Sequence, residues 1–198
     1  MEKHLYTILI YSENVVGILN LVTAVFTRNQ INIESLNVSP SGIPNVHKYT
    51  VTTITDEKQV IKLVKQIERK VDVIKANYYL EDEIFTSEVA LFKLSTPIVI
   101  AHPEISKCIR HTESRMLEVN DTYITVHVCS STKSIVDLYE NLAKYKCILQ
   151  YTRSGPVAIT RAREELVSAF LAEQRNAQLR FMEEGINGSH KDANDSEN

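Results

Sequence analysis

The order of strand-type and helix-type hydrophobic patterns in residues 1–80 is the strongest constraint on the fold. Leu5 to Tyr11 is rich in β-branched and aromatic residues, which favours a strand buried on at least one face. The next segment carries apolar residues at the spacing of a helix that packs on a sheet. These residues are Ile18, Leu19, Leu21, Val22, Val25 and Phe26. The chain therefore begins with a strand followed by an amphipathic helix.

A hairpin is predicted next. Residues 31–38 alternate between apolar and polar, but the phase of the alternation changes near Ser35, which indicates a bulge or twist. Residues 40–45 contain two prolines, a glycine and an asparagine, a composition typical of a turn. Residues 48–54 then resume the strand pattern, so the two strands are expected to pair.

A second helix and a fourth strand complete the unit. Asp56 and Gln59 are spaced for a capping box, in which each side chain accepts from the other residue's free backbone amide. The buried stripe of the helix is predicted to be Val60, Val64, Ile67 and Val71. A strand over residues 71–79 gives the order β-α-β-β-α-β, the ferredoxin-like arrangement of an α+β protein.

The same order of elements recurs after the acidic step Glu81-Asp82-Glu83. The second set consists of a strand at 88–94, a helix beginning near Pro103, paired strands at 116–119 and 123–129, a helix capped by Ser130 or Ser131 and a strand at 147–151. We therefore predict two ferredoxin-like domains, at residues 1–80 and 81–155. A C-terminal helix is expected over 156–186, and residues 187–198 contain almost no apolar side chains and are expected to be a disordered tail.

Composition excludes several classes of partner. The formal net charge is −3 and no basic stripe is present, which argues against nucleic-acid binding. No apolar stretch approaches the roughly 20 residues needed to span a bilayer, and the start lacks a signal-peptide profile. We therefore expect a cytoplasmic location. Cys108, Cys129 and Cys147 are widely spaced in apolar segments and are interpreted as core thiols.

The most informative segment is Asn14 to Leu19, where the first strand turns into the first helix. A helix start presents unpaired backbone N–H groups and a partial positive charge, so it can receive a carboxylate. Gly17 would let a ligand approach the backbone, and the Asn14 amide could add hydrogen bonds. The structural alternative is that Asn14 caps the helix, Gly17 relieves a tight turn and Asn32 is an ordinary exposed residue.

Residues 14–38, NVVGILNLVTAVFTRNQINIESLNV, resemble the signature of the acetolactate synthase small (regulatory) subunit family. The stretch Asn32-Ile33-Glu34-Ser35-Leu36 is especially characteristic of that family. Supporting similarities are found at 56–57, at 88–93 and at 152–155 together with Arg161. The resemblance covers residues 4–162. The sequence departs from the family pattern at Val16, at Gln30, where a glycine commonly ends the first helix, and at His47-Lys48.

The resemblance implies an N-terminal ACT domain, a ferredoxin-like C-terminal domain and homodimers in which ACT sheets join side by side. It also implies feedback inhibition by valine, bound between two ACT domains, of a catalytic (large) subunit that uses thiamine diphosphate, Mg and FAD. This chain itself is expected to need no cofactor or metal. By the resemblance, the valine-binding residues are Asn14, Val16, Gly17 and Ile18 of one copy and Asn32 and Ile33 of the neighbouring copy.

Other functions are weaker candidates on the residues alone. No nucleophile elbow, phosphate loop or metal-ligand pair of histidines is present, which disfavours a stand-alone enzyme. A transcriptional regulator with an ACT domain is disfavoured by the missing helix-turn-helix and basic face. Arg153 and Arg161 are either an anion clamp or surface salt bridges, and His127 is interpreted as a hydrogen-bonded core or interface residue.

Overall fold

The computed structural model describes residues 2–163 and 167–172. Met1–Arg161 forms one compact unit. Its first half contains β1 (His4–Glu13), α1 (Ile18–Arg28), β2 (Ser35–Pro40), β3 (Val46–Thr55), α2 (Glu57–Glu68) and β4 (Val73–Tyr79). The four strands form an antiparallel sheet in the order β2-β3-β1-β4. This is the predicted ferredoxin-like arrangement, and β2 and β4 are its edges.

The second half repeats the arrangement after a single 3₁₀ turn at Glu81–Glu83. It contains β5 (Ile84–Ser95), α3 (Thr96–Ala101), α4 (Pro103–His111), β6 (Ser114–Val119), β7 (Tyr123–Ser130), α5 (Thr132–Ala143), β8 (Ile148–Arg153) and β9 (Val157–Thr160). The sheet order is β6-β7-β5-β8, with β9 paired to the first residues of β5. The α+β fold with two βαββαβ repeats is therefore confirmed. The domain limits at residues 80 and 155 stay a prediction.

Helices α1, α2, α4 and α5 form where the sequence predicts them, with small differences at their ends, whereas α3 was not predicted. Asp56 caps α2 by accepting from the Gln59 backbone N–H at 3.0 Å. The Gln59 side chain does not complete the predicted capping box, because its Oε1 instead accepts from Thr55 Oγ1 at 2.6 Å. Val71 was predicted to be buried but is exposed in the turn after α2, and Leu63 belongs to the buried stripe in its place.

The phase change near Ser35 has a different cause from the predicted bulge. The strand begins only at Ser35, and the preceding residues cross from α1 to the sheet without strand geometry. Ile31, Ile33 and Leu36 consequently all pack against the same core. The turn after α1 also holds Gln30 with a φ of +56°, a left-handed conformation that glycine adopts more easily.

Both faces of the first sheet carry buried residues. Tyr6, Ile8 and Ile10 of β1 pack against the helices, whereas Leu9 and Tyr11 are buried on the opposite face. The second half of the chain supplies contacts to that opposite face and its margin. Lys48 Nζ donates to the Ala158 carbonyl oxygen at 2.9 Å, which ties β3 to β9.

The segment after Pro156 corrects the prediction of a helix over 156–186. Residues Val157–Thr160 form β9 because their backbone groups pair with Ile84–Ser87 of β5. Residues 167–172 are helical. Residues 164–166 and 173–186 of the expected helix, and the expected disordered tail at 187–198, lie outside the described residues.

Candidate functional site

The turn between β1 and α1 leaves an uncapped helix start at the surface. Asn14 to Gly17 is exposed, and Gly17 is the N-cap residue of α1 with a φ of +96°. No side chain among the described residues caps this helix start, so Asn14 does not perform the capping role that the structural alternative assigns to it. Backbone amides at such a helix start attract anions.

Gly17 is required by its backbone conformation rather than by crowding. A Cβ atom at this position would meet no atom of the described residues within 4 Å, but the φ lies in the region that side-chain-bearing residues rarely adopt. The tight-turn part of the structural alternative is therefore correct. The open space above Gly17 is equally what a ligand needs in order to approach the backbone.

The other predicted residues of this turn contribute different groups. The Asn14 backbone N–H donates to the Asn45 carbonyl oxygen at 3.1 Å, which fixes the turn while the Asn14 side chain stays exposed. Val16 is fully exposed, at 101% of its reference area. Ile18 is 2% exposed, and its side chain belongs to the hydrophobic core of the first half of the chain, here called the first core. Ile18 can therefore offer a ligand only its backbone amide.

Asn32 and Ile33 lie at the opposite end of the first sheet. The Asn32 carbonyl oxygen accepts from Thr53 Oγ1 at 2.6 Å, and its side-chain amide donates to Glu34 Oε1 at 3.0 Å. Thr53 and Val46, the β3 residue opposite Glu13, are seven residues apart (53 − 46), or about 23 Å along a strand. Ile33 is partly buried against the first core. The structure therefore does not bring the two groups of predicted residues together within one chain.

A cleft between the two halves contains a charged group that the sequence analysis missed. The Glu88 side chain is completely buried, and Arg153 Nε lies 3.1 Å from its Oε1. Thr132 Oγ1 donates to Glu88 Oε2 at 2.8 Å. The sequence of β5 already indicated that Glu88 is buried, because Glu88 occupies the same alternate positions as the buried residues Ala90, Phe92 and Leu94.

Arg153 and Arg161 have separate partners. Arg153 pairs with Glu88, and Arg161 lies over the Phe85 ring at 3.9 Å. The two arginines thus contact different groups of β5, and the Glu88 partner of Arg153 is buried rather than at the surface. Burial raises the pKa of Tyr151 on β8 above its ordinary value, and the nearby Arg153 charge offsets part of this increase in pKa.

The cysteines and His127 differ partly from the predictions. Cys147 is buried, and burial raises the pKa of its thiol. Cys129 is exposed because Val126 and Val128 occupy the buried face of β7, so its interpretation as a core thiol was wrong. His127 lies on the same outer face as Cys129 and is half-buried, which excludes it from the core.

Within residues 2–163 and 167–172, no three histidine, cysteine or acidic side chains are grouped so as to hold a metal ion. In the same part of the chain, no helix combines the length and the apolar character that crossing a membrane requires.

Comparison with known proteins gives consistent matches along the chain. Residues 6–72 match the family described as ACT domain, and residues 87–162 match the family described as small subunit of acetolactate synthase. The acetolactate synthase small subunit of Bacillus subtilis is 30% identical over 155 residues, which cover 77% of this chain and 88% of that protein. A probable acetolactate synthase small subunit of Methanothermobacter thermautotrophicus is 27% identical over 81% of this chain and 95% of that protein.

Among solved structures, that of an acetolactate synthase small subunit from Thermotoga maritima has the same fold, with a TM-score of 0.71 at 21% identity. The match covers 83% of this chain and 100% of that chain.

Proposed function

This chain belongs to the family of acetolactate synthase small subunits, and from that premise we propose that it is a regulatory subunit through which valine inhibits a separate catalytic subunit. The observation that carries the proposal is the exposed helix start at Gly17, which no side chain of the described residues caps. In this proposal the chain activates the catalytic subunit, which holds thiamine diphosphate, Mg and FAD, and has no active site of its own.

The turn suits the carboxylate of a free amino acid. The amides of Gly17 and Ile18 and the exposed side chain of Asn14 present hydrogen-bond donors on one short segment. A carboxylate at a helix start gains about 0.3–2 kcal/mol, and hydrogen bonds to a charged group add about 1.5–3 kcal/mol each. After the cost of association, an affinity on the order of micromolar to millimolar follows, which suits a metabolite sensor.

The site needs two copies of the chain, because Asn14 and Asn32 are at opposite ends of one sheet. We place the dimer contact at β2, which is an edge strand of the first sheet among the described strands. If two β2 strands pair antiparallel across a two-fold axis, the start of one β2 lies beside the end of the other. The end of β2 is Pro40, which is paired with His47 near the Asn14 turn. Asn32 and Ile33 of one copy then approach the turn of its neighbour.

Regulation follows if valine favours one state of the complex with the catalytic subunit. A coupling free energy of about 1–3 kcal/mol changes activity or affinity several-fold to about a hundred-fold. Valine bound between two sheets would stabilise one arrangement of the dimer, and the catalytic subunit would detect that arrangement.

We expect Asn14→Ala to weaken valine binding by about 10- to 100-fold, because the substitution removes a side-chain amide that bonds the charged ligand. Isothermal titration of valine into the purified protein measures the change. Asn141→Ala is the matched control, since Asn141 is an exposed asparagine on α5, far from the turn in sequence. Equal affinities for the Asn14→Ala variant and the unaltered protein would remove this residue from the site.

Mixed dimers test whether the site is built from two chains. Homodimers of Asn14→Ala or of Asn32→Ala have every site damaged. A heterodimer of the two variants has one site with both substitutions and one site with none, so mixing and re-equilibrating the variants should restore part of the high-affinity binding. If mixing restores none, Asn14 and Asn32 do not belong to a shared site.

A further inference from the structure

We propose that the cleft between the two halves of the chain is a second ligand site, which takes a small aliphatic α-amino acid. The site lies within one chain and does not use the turn at Gly17, so it goes beyond the proposed function and does not depend on it. Its components are a buried carboxylate with an unsatisfied oxygen, a partly exposed guanidinium and an apolar wall.

The buried carboxylate of Glu88 has one oxygen without a hydrogen-bond donor among the described residues. Oε2 accepts from Thr132 Oγ1, but no described residue donates a hydrogen bond to Oε1. Arg153 Nε lies 3.1 Å from Oε1 as an ion pair without the alignment of a hydrogen bond. A buried acceptor of this kind is almost always satisfied in native proteins. The ammonium group of a ligand in the cleft would supply the missing donor once a rotation of the completely buried Glu88 side chain turns Oε1 toward it.

The charges around the cleft favour a ligand with both an ammonium and a carboxylate. Among the described residues, Glu34, Glu81 and Glu88 line it together with a single cationic residue, Arg153. The excess of carboxylates attracts the ammonium group. The Arg153 side chain is 35% exposed and carries five N–H donors, more than the Glu88 contact uses, so it can also bind a carboxylate. A simple amine or a simple carboxylic acid would use only one of these two features.

The remaining lining fits an aliphatic side chain. Its apolar members are Leu5, Ile54, Ile84, Val136 and Pro156. Leu5 and Ile54 are 47% and 51% exposed, although large apolar residues of a strand usually face a core, and an occupied cleft would cover them. The cavity volume is about 290 Å³, close to the lower end of about 300 Å³ for small-molecule sites. The space suits a branched aliphatic amino acid.

Methyl NMR of the full-length protein tests the proposal with three probes of similar shape: valine, isobutylamine and isovalerate. Valine should produce saturable shifts of the Ile54 and Ile84 methyl signals. Isobutylamine, which lacks the carboxylate, should bind at least tenfold more weakly, and isovalerate, which lacks the ammonium, should leave both signals in place. This series uses the unaltered protein, so it does not depend on the folding of any variant.

Two substitutions test the proposed roles of Glu88 and Arg153 in ligand binding. Glu88→Gln should weaken valine binding at Ile54 and Ile84 at least tenfold, whereas the control Glu140→Gln, an exposed glutamate on α5, should not change it. Arg153→Gln should weaken valine but not isobutylamine. Unchanged binding by Glu88→Gln, or equal binding of the three probes, overturns the proposal.

The same spectra separate this proposal from the proposed function. Ile18 and Ile33 report on the turn and on the residues that approach it from a second copy, whereas Ile54 and Ile84 report on the cleft. Valine shifts confined to Ile18 and Ile33 overturn the cleft site and leave the proposed function standing. Shifts at Ile54 and Ile84 alone support the cleft and contradict valine binding at the turn.

Discussion

Phe92→Ala should lower the free energy of unfolding by about 3–5 kcal/mol, the range observed for large-to-small substitutions of buried aromatic residues. Phe92 lies on β5 with no solvent exposure and belongs to the hydrophobic core of the second half of the chain. Its ring centroid is 4.7 Å from that of Tyr151 on β8, so the substitution removes an aromatic pair as well as buried area. Urea denaturation followed by circular dichroism measures the loss as a shift of the unfolding midpoint.

Phe85 provides the matched control on the same strand. It faces the other way from Phe92, is 54% exposed and contacts Arg161 through its ring. Phe85→Ala removes little buried area and one cation–π contact, so its cost should be no more than about 1 kcal/mol. Similar losses for the two variants would contradict the assignment of inner and outer faces of β5.

Gly155→Ala should lower the free energy of unfolding by about 2–4 kcal/mol, because the added methyl group destabilises the folded state in two separate ways. Gly155 has a φ of +75°, and a Cβ atom there would lie 3.0 Å from the Ser35 Cβ. The first cost is the left-handed backbone, and the second is the crowding where the chain after β8 passes the start of β2. Gly42→Ala is the control, since Gly42 has no positive φ and an added Cβ would meet no atom of the described residues within 4 Å.

A double-mutant cycle separates the two costs. Adding Ser35→Gly to Gly155→Ala removes the crowding but leaves the backbone cost, so about 1–3 kcal/mol should be recovered relative to the sum of the single losses. Ser35→Gly also removes the hydrogen bond between the Ser35 and Thr52 hydroxyls. This loss is the same whether or not Gly155 is substituted, so it cancels in the cycle. Strict additivity would show that Gly155 and Ser35 do not meet in solution.

Most of the fold could be predicted because its signals are local. Helix α5 is capped by Ser131, one of the two predicted capping residues, whose hydroxyl accepts from the Ser134 backbone N–H. Strand β9 could not be predicted in this way, because it has four residues and owes its geometry to pairing with residues of β5 that lie 70 to 76 positions earlier. Apolar residues that follow β9 have helical spacing, and for this reason the predicted helix over 156–186 included the residues of β9.

The candidate site could be predicted only in part for a related reason. Gly17 indicates an irregular turn in the sequence, and the structure places it in the left-handed conformation. No sequence pattern tells that Asn14 and Asn32 lie at opposite ends of the first sheet in one chain, because their positions depend on the register of β1 and β3. Glu88 was missed because its neighbours in β5 form a hydrophobic run, although the alternation of the strand already placed its carboxylate inside.

Acetolactate formation by the purified catalytic subunit, measured with and without this chain and with and without valine, tests whether the chain is a valine-responsive regulatory subunit. We expect the chain to raise the rate and valine then to lower it. The Asn14→Ala variant should still raise the rate but require about 10- to 100-fold more valine for inhibition. A rate that is the same with and without the chain, at every valine concentration, would show that the chain is not a regulatory subunit of this enzyme.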